Sequence, residues 1–262
     1  MAGGGQQINI QLQEGKKVYF ASDQHLGAPN DEESRIRELR FVNWLNQIKP
    51  DCQVLFLLGD LFDFWFEYKQ VVPRGFVRIL GKLAELSDSG IKIYFFTGNH
   101  DLWMRDYLEK EIGMEVFHDR KQFQINQTKF FIAHGDGLGP GDKGYKRMKK
   151  LFRNKVAQFF FYLLHPDFAV WLGINMSLKN KLISGDEDVK FLGEEKEWLA
   201  QYARRKLEKE HFDYFVFGHR HMPMEIQVGE NSFYMNLGDW VNHFTYAVFD
   251  GAELKLERDV AQ

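Results

Sequence analysis

Val54-Leu55-Phe56-Leu57-Leu58-Gly59-Asp60 is a continuously apolar run that stops at a glycine and a carboxylate. A run of that length closed by a turn residue predicts a strand buried on both faces, as in parallel sheets covered by helices. The glycine permits a sharp turn, and Asp60 is left at the strand's carboxyl end, where α/β folds gather their chemistry. One such strand end is weak evidence, but the pattern recurs outward along the chain. Lys17 to Ser22 leads into Asp23-Gln24-His25, and Ile91 to Phe96 into Gly98-Asn99-His100-Asp101. Lys129 to Ala133 leads into His134-Gly135-Asp136, and Tyr214 to Phe217 into Gly218-His219-Arg220-His221.

Between these strands, Asp31 to Ile48 carries Ile36, Leu39, Phe41, Trp44, Leu45 and Ile48 at helical spacing. A second helix is expected around Phe76 to Ser87, stopped by Asp88-Ser89-Gly90, and a short third over Leu102 to Ile112. This β-loop-α alternation predicts an α/β fold with parallel pairing and right-handed crossovers. Gln122 to Asn126 and Lys129 to Ala133 then read as a hairpin, and residues 137–186 as a partly helical insertion within one domain spanning 1–262. A charged helix over Glu187 to Glu210 follows, and the tail from Ile226 to Leu256 reads as an antiparallel meander.

Composition narrows the function. A net charge of −3 points away from a nucleic-acid binder, and the single cysteine, Cys52, excludes an intrachain disulfide and a thiolate metal cluster. That usage fits a reducing, cytoplasmic setting. The Gly- and Gln-rich start has no apolar core of a signal peptide, and no apolar stretch approaches the ~18 residues that span a bilayer. A soluble protein is expected, at most resting on a membrane surface.

Taken singly, each polar strand end could be a turn former or helix N-cap, and each histidine a satisfied polar residue. Together, Asp, Asn and His at five strand ends make a mixed nitrogen and oxygen donor set without thiolate. Such donors suit Mn, Fe or Zn in a catalytic site better than a structural zinc finger.

These blocks, in this order, resemble the calcineurin-like metallophosphoesterase superfamily over most of the chain. The resemblance implies a layered β-sandwich flanked by helices, with the insertion as a helical cap. It also implies two divalent ions, Mn2+ by expectation with Fe or Zn as alternatives. By that resemblance Asp23, His25 and His221 hold one ion, Asn99, His134 and His219 the other, and Asp60 bridges them. His100 falls where superfamily members place a histidine that stabilises or protonates the leaving group. Asp101 is expected to orient it, or to cap the helix beginning at Leu102.

The insertion bears on the substrate. Met148, Leu151, Phe152, Val156, Phe159, Phe160, Leu163 and Leu164 form a broad stripe behind a basic cluster that includes Lys146, Arg147, Lys149 and Lys150. The default reading is a helical hairpin whose stripe is core. The alternative is an interfacial segment meeting acyl chains and anionic headgroups. Gly59-Asp60-Leu61-Phe62, Ser87-Asp88-Ser89-Gly90 and His134 to Tyr145 are similar to the UDP-2,3-diacylglucosamine pyrophosphohydrolases of lipid A biosynthesis. That family implies cleavage of a lipid-linked nucleotide sugar at the inner leaflet, by a peripheral enzyme. It implies that Asn99, His100 and His219 also meet substrate, that Asp142 contacts the glucosamine, and that Ser177, Lys179 and Lys181 line the cap side. The well-known form of that hydrolase carries Arg where this chain has His100. A soluble phosphodiesterase or nucleotide pyrophosphatase with a non-lipid substrate stays open as the alternative.

Overall fold

The strand Cys52–Leu57 lies at the centre of a six-stranded sheet, with both neighbours parallel to it. The computed structural model describes residues 7–139, 150, 152–184 and 193–260, with 178–184 described by backbone alone. Its strands are β1 (Ile8–Ile10), β2 (Lys17–Ala21), β3 (Cys52–Leu57), β4 (Lys92–Phe96), β5 (Glu115–Phe117), β6 (Lys121–Ile125), β7 (Thr128–Ile132), β8 (Tyr214–Phe217), β9 (Pro223–Gly229), β10 (Ser232–Leu237), β11 (Thr245–Phe249) and β12 (Leu254–Arg258). The helices are α1 (Asp31–Ile48), α2 (Val77–Asp88), α3 (Lys155–Tyr162), α4 (Pro166–Ser184) and α5 (Trp198–Leu207).

The strands form two sheets, ordered β12-β11-β2-β3-β4-β5 and β1-β6-β7-β8-β10-β9. Phe20, Phe56, Phe96, Phe123, Phe130 and Phe249 fill the space between them. The outer face of the first sheet packs on α1 and α2 through Phe41, Trp44, Leu45, Ile79 and Leu83. The outer face of the second packs on α5 through Leu199, Ala200 and Ala203. Each central strand therefore buries both faces, which is why its sequence is apolar without alternation. α1 starts where Asn30 accepts from the Glu33 amide at 2.9 Å, with Asp31, Glu32 and Glu33 in the favourable end of the helix dipole.

Three expectations change, and two strands are new. Leu102 to Ile112 holds only a five-residue π-helical turn, Leu108–Ile112. Trp103 is drawn into a bridge with Phe66 and donates to the Phe152 carbonyl at 2.6 Å, so helix cannot begin there. The tail is not one meander. β10 pairs β9 antiparallel and β8 parallel, and the chain then crosses to the other sheet, where β11 pairs β2 and β12. The charged helix shortens to Trp198–Leu207, with 187–192 outside the described residues. The short edge strands β1 and β5 were not anticipated, because three residues carry too little periodicity to read.

The insertion has two faces. Phe161 and Tyr162 on α3 dock on the aromatic loop after Asp60, with Phe161 4.8 Å from Phe66 and Tyr162 5.4 Å from Tyr68 between ring centroids. On the other side Val156, Phe159, Phe160, Leu163, Phe168 and Trp171 stay exposed, and α3 buries no residue fully. The default reading of the stripe as core is thus corrected: one side packs and the other faces outward. No described helix is long and apolar enough to cross a membrane.

Candidate metal centre

The five polar strand ends converge at one edge of the paired sheets. Asp23, His25 and His221 bring donor atoms within 4.8 Å of one another, and so do Asp60, His134 and His219. Asp60 stands between the groups, its Oδ2 3.8 Å from His25 Nε2 and 3.3 Å from His134 Nε2. Asn99 completes the second group, with Oδ1 3.2 Å from His134 Nε2.

The loops that present these side chains are strained. Asp23, His25, Asp60, His219 and His221 all have positive φ, from 45° to 70°. Each such residue costs on the order of 1–3 kcal/mol and persists only where surroundings hold it. Backbone bonds link the loops directly: the Asp23 amide donates to the Gly59 carbonyl at 3.1 Å, His25 to Asp60 at 2.9 Å, and Gly218 to His134 at 2.8 Å. Buried Arg37 on α1 donates to the carbonyls of Gln24, His25 and Ala28 at 3.1, 2.8 and 3.1 Å. Space is equally tight. A Cβ on Gly59, whose φ is +90°, would lie 2.6 Å from His134 Nδ1, and one on Gly98 would collide with the Asp60 carboxylate.

Hydrogen bonds at the far side of each ring fix which nitrogen faces inward. His134 Nδ1 lies 2.6 Å from the Leu58 carbonyl, His25 Nδ1 3.1 Å from Asp63 Oδ1, and His221 Nδ1 3.3 Å from Asp239 Oδ2. Carbonyl and carboxylate oxygens only accept, so each Nδ1 carries the hydrogen and each Nε2 turns a lone pair toward the centre. There His25 Nε2 faces His221 Nε2 at 3.3 Å, with Asp23 Oδ1 3.6 Å from the latter. That Asp23 oxygen is fully buried without a hydrogen-bond partner. Lone pairs converging on lone pairs in a dry site need protons or cations between them. The donor set fits two divalent ions.

Titration behaviour agrees with this. Burial would raise Asp60, but His134, His100 and His25 outweigh it and hold the carboxyl well below the usual range. Burial lowers His134, yet Asp60 and Asp23 push it up to about 10. Burial and then the charge on His134 bring His219 down to about 3. Asp23 is raised, chiefly by burial.

His100 stands beside the first group. Its Nδ1 is 3.0 Å from the Asp63 carbonyl and 3.0 Å from Ser177 Oγ, and that hydroxyl donates to Asp63 Oδ2 at 2.7 Å. Asp101 does not orient it. The Asp101 carboxylate instead accepts the amides of Gly98 at 2.6 Å and Leu61 at 3.0 Å, pinning two loops together, and no helix begins at Leu102 for it to cap. Asp142 lies outside the described residues, as do the side chains of Lys179 and Lys181. Sequence reasoning missed Asp63, Asp239 and Arg37. Gly238-Asp239 follows the apolar end of β10 just as Gly59-Asp60 follows β3, and Asp63 is a lone carboxylate in an aromatic loop. Arg37, within a helix rich in charge, had no such signal.

The profile of the calcineurin-like phosphoesterase family matches residues 16–223. A UDP-2,3-diacylglucosamine hydrolase of Porphyromonas gingivalis (strain ATCC BAA-308 / W83) is 39% identical over 255 residues, covering 92% of this chain and 97% of that protein. One from Neisseria meningitidis serogroup A / serotype 4A is 27% identical over 230 residues, covering 87% and 92%. A third, from Haemophilus influenzae strain Rd, is 26% identical over 232 residues, covering 87% and 92%.

Proposed function

Since the chain belongs to the calcineurin-like phosphoesterase family, we propose that it hydrolyses the pyrophosphate of UDP-2,3-diacylglucosamine, giving UMP and 2,3-diacylglucosamine 1-phosphate. The chain is a metal-dependent hydrolase by family. The observation that carries the substrate is the contact of Ser177, on the apolar hairpin's second helix, with Asp63 and His100 at 2.7 and 3.0 Å. A helix whose outer residues Phe168 and Trp171 are exposed thus reaches into the polar centre, as a lipid-linked phosphate requires.

In this reading Asp23, His25 and His221 would hold one ion, Asn99, His134 and His219 would hold the other, and Asp60 would serve both. Mn2+ is the expected ion, with Fe or Zn fitting the same donors. Two such ions would supply positive charge for the phosphoryl oxygens and lower the pKa of a water toward neutral. The protein's own part is orientation and proton handling. Asp63, Asp239 and the Leu58 carbonyl keep three imidazoles turned inward, at the distances given above. The Asp63 carbonyl keeps the hydrogen of His100 on Nδ1, so Nε2 is the atom that meets the leaving phosphate, to stabilise or protonate it. Asn99 and His219 meet substrate oxygens from the opposite side. Asp101 acts by holding the loops of Asp60 and Gly98, and Ser177, Lys179, Lys181 and Asp142 belong to the headgroup's surroundings. Residues 137–186 serve as a cap within one domain, and their exposed stripe lets a cytoplasmic protein rest on the inner membrane surface, where its substrate resides.

The test is hydrolysis of UDP-2,3-diacylglucosamine with Mn2+, with and without chelator. Metal-dependent release of both UMP and the acylated sugar phosphate is the expected result. Cleavage of a small phosphodiester without turnover of the lipid would keep the metal centre and overturn the substrate.

A further inference from the structure

The hairpin and His100 occupy one flank of the centre, and the other flank opens into a shallow, open cleft. Its walls include Thr97, His118, Arg120, His134, Asp136 and Leu138. His134 belongs to the donor group away from His100, so the cleft begins where the metal centre ends on that side. The two flanks differ in chemistry. The hairpin side offers exposed Phe and Trp, whereas the cleft offers a hydroxyl, an imidazole, a guanidinium and a carboxylate.

Among the described residues, the cleft's cation is uncommitted: Arg120 is exposed and makes no ion pair or hydrogen bond. Its neighbour Asp119 is instead held by Arg153 at 3.1 Å, and Arg153 also donates to the His118 carbonyl, which steadies the rim. Thr97 Oγ1 lies 3.5 Å from His118 Nδ1, so both sit on the same wall. A pyrophosphate held at the centre must send its two halves in different directions. An acylated half is favoured on the apolar flank, and the hydrophilic half then has this cleft.

We propose that the cleft walled by Thr97, His118, Arg120 and Asp136 is the subsite for the nucleoside monophosphate half of the substrate. The proposal rests on the reading that the substrate is a nucleotide-linked lipid. Arg120 takes phosphate charge, the Asp136 carboxylate accepts ribose hydroxyls, and the His118 ring offers a face or an edge to the base. Selectivity follows from the same chemistry, since inorganic phosphate can use only the first of these contacts.

The experiment compares UMP with inorganic phosphate as inhibitors of bis(4-nitrophenyl) phosphate hydrolysis by the Mn2+-loaded protein, with UMP binding also followed by calorimetry. In wild type UMP should inhibit at a concentration at least about 10-fold below phosphate. His118→Ala should shrink that ratio by about 5-fold or more, whereas Arg120→Ala, which removes the contact both ligands share, should weaken UMP and phosphate alike, with Arg120→Lys restoring part of that loss. Taking the ratio within each variant removes differences in folding or specific activity. An advantage of UMP that His118→Ala leaves unchanged, inhibition by both ligands that Arg120→Ala leaves unchanged, or no advantage at all, overturns the subsite, even if UDP-2,3-diacylglucosamine is cleaved. Conversely, a His118-dependent advantage in a protein that leaves the lipid substrate intact keeps the subsite and overturns the lipid reading.

Discussion

Single residues at this centre are set against one another so that protons and cations compete for the same place. Asp60 holds His134 protonated up to about pH 10, and Asp23 and Asp239 raise His221 against its burial. An imidazole must give up its Nε2 proton before it can coordinate, so ion binding at pH 7 should release about one proton or more. The sign follows directly: ion affinity should rise with pH until His134 titrates, and fall as the site is acidified. Calorimetric titration with Mn2+ in buffers of different ionisation enthalpy measures this, and a binding heat independent of buffer would refute it. Asp60→Ala removes both the shared ligand and the charge that holds the proton, so bound ion and released protons should fall together, with activity abolished. Most of these residues were legible in the sequence because each sits at a strand end. Asp63 and Asp239, which turn the rings, were less so, since a carboxylate acting through a histidine looks like any turn former.

At the scale of elements, helices were predicted well where one face meets the core and poorly where it does not. α1 has a capped start and buried Phe41, Trp44, Leu45 and Ile48, and its limits match the periodicity. α3 is apolar nearly all round, a pattern that fits a core helix as well as an interfacial one. Contacts alone separate the cases: Phe161 meets Phe66 and Trp103 at 4.8 and 4.6 Å, while Phe160 and Leu163 are 64% and 63% exposed. Changing the outward pair by Phe160→Ser and Leu163→Ser should therefore leave the melting temperature within about 2 °C, since surface changes cost about 0.5 kcal/mol or less. Partition onto anionic vesicles should fall by about 10-fold or more, from burial energies of about 1.5–3 kcal/mol for each large side chain. Turnover of a small phosphodiester should stay as it was. A large drop in melting temperature, with parallel losses on lipid and small substrates, would return the stripe to the core.

For the whole molecule, the strands were legible and their partners were not. An apolar run says that both faces are buried, but not that β10 will insert between β8 and β9 or that β11 will cross to the other sheet. That crossing carries Trp240 into contact with Phe41 and Trp44, at 4.6 and 5.0 Å, and so ties the last hairpin to α1 and the metal-site loop. The fold closes over many protonated groups. Burial pushes the Cys52 thiol up to about 12, and raises Tyr19, Tyr94 and Tyr234 above their ordinary value. These groups ionise in the unfolded chain near pH 8.5–10 and stay neutral in the folded one. Because each folded pKa lies above its unfolded value, the stabilisation is complete below about pH 8.5 and is lost as pH rises toward the folded values. Each group contributes a slope of about 1.4 kcal/mol per pH unit once its unfolded form has ionised. The urea midpoint should therefore hold steady between pH 7 and 8 and fall steeply from pH 9.5 to 11. Cys52, 3% exposed, should resist alkylation at pH 8 until the same midpoint at which tryptophan fluorescence changes. A midpoint unchanged at pH 11, or a thiol that reacts well before fluorescence moves, would mean that the thiol's surroundings open without the rest. The two sheets and their helices would then not share one cooperative core.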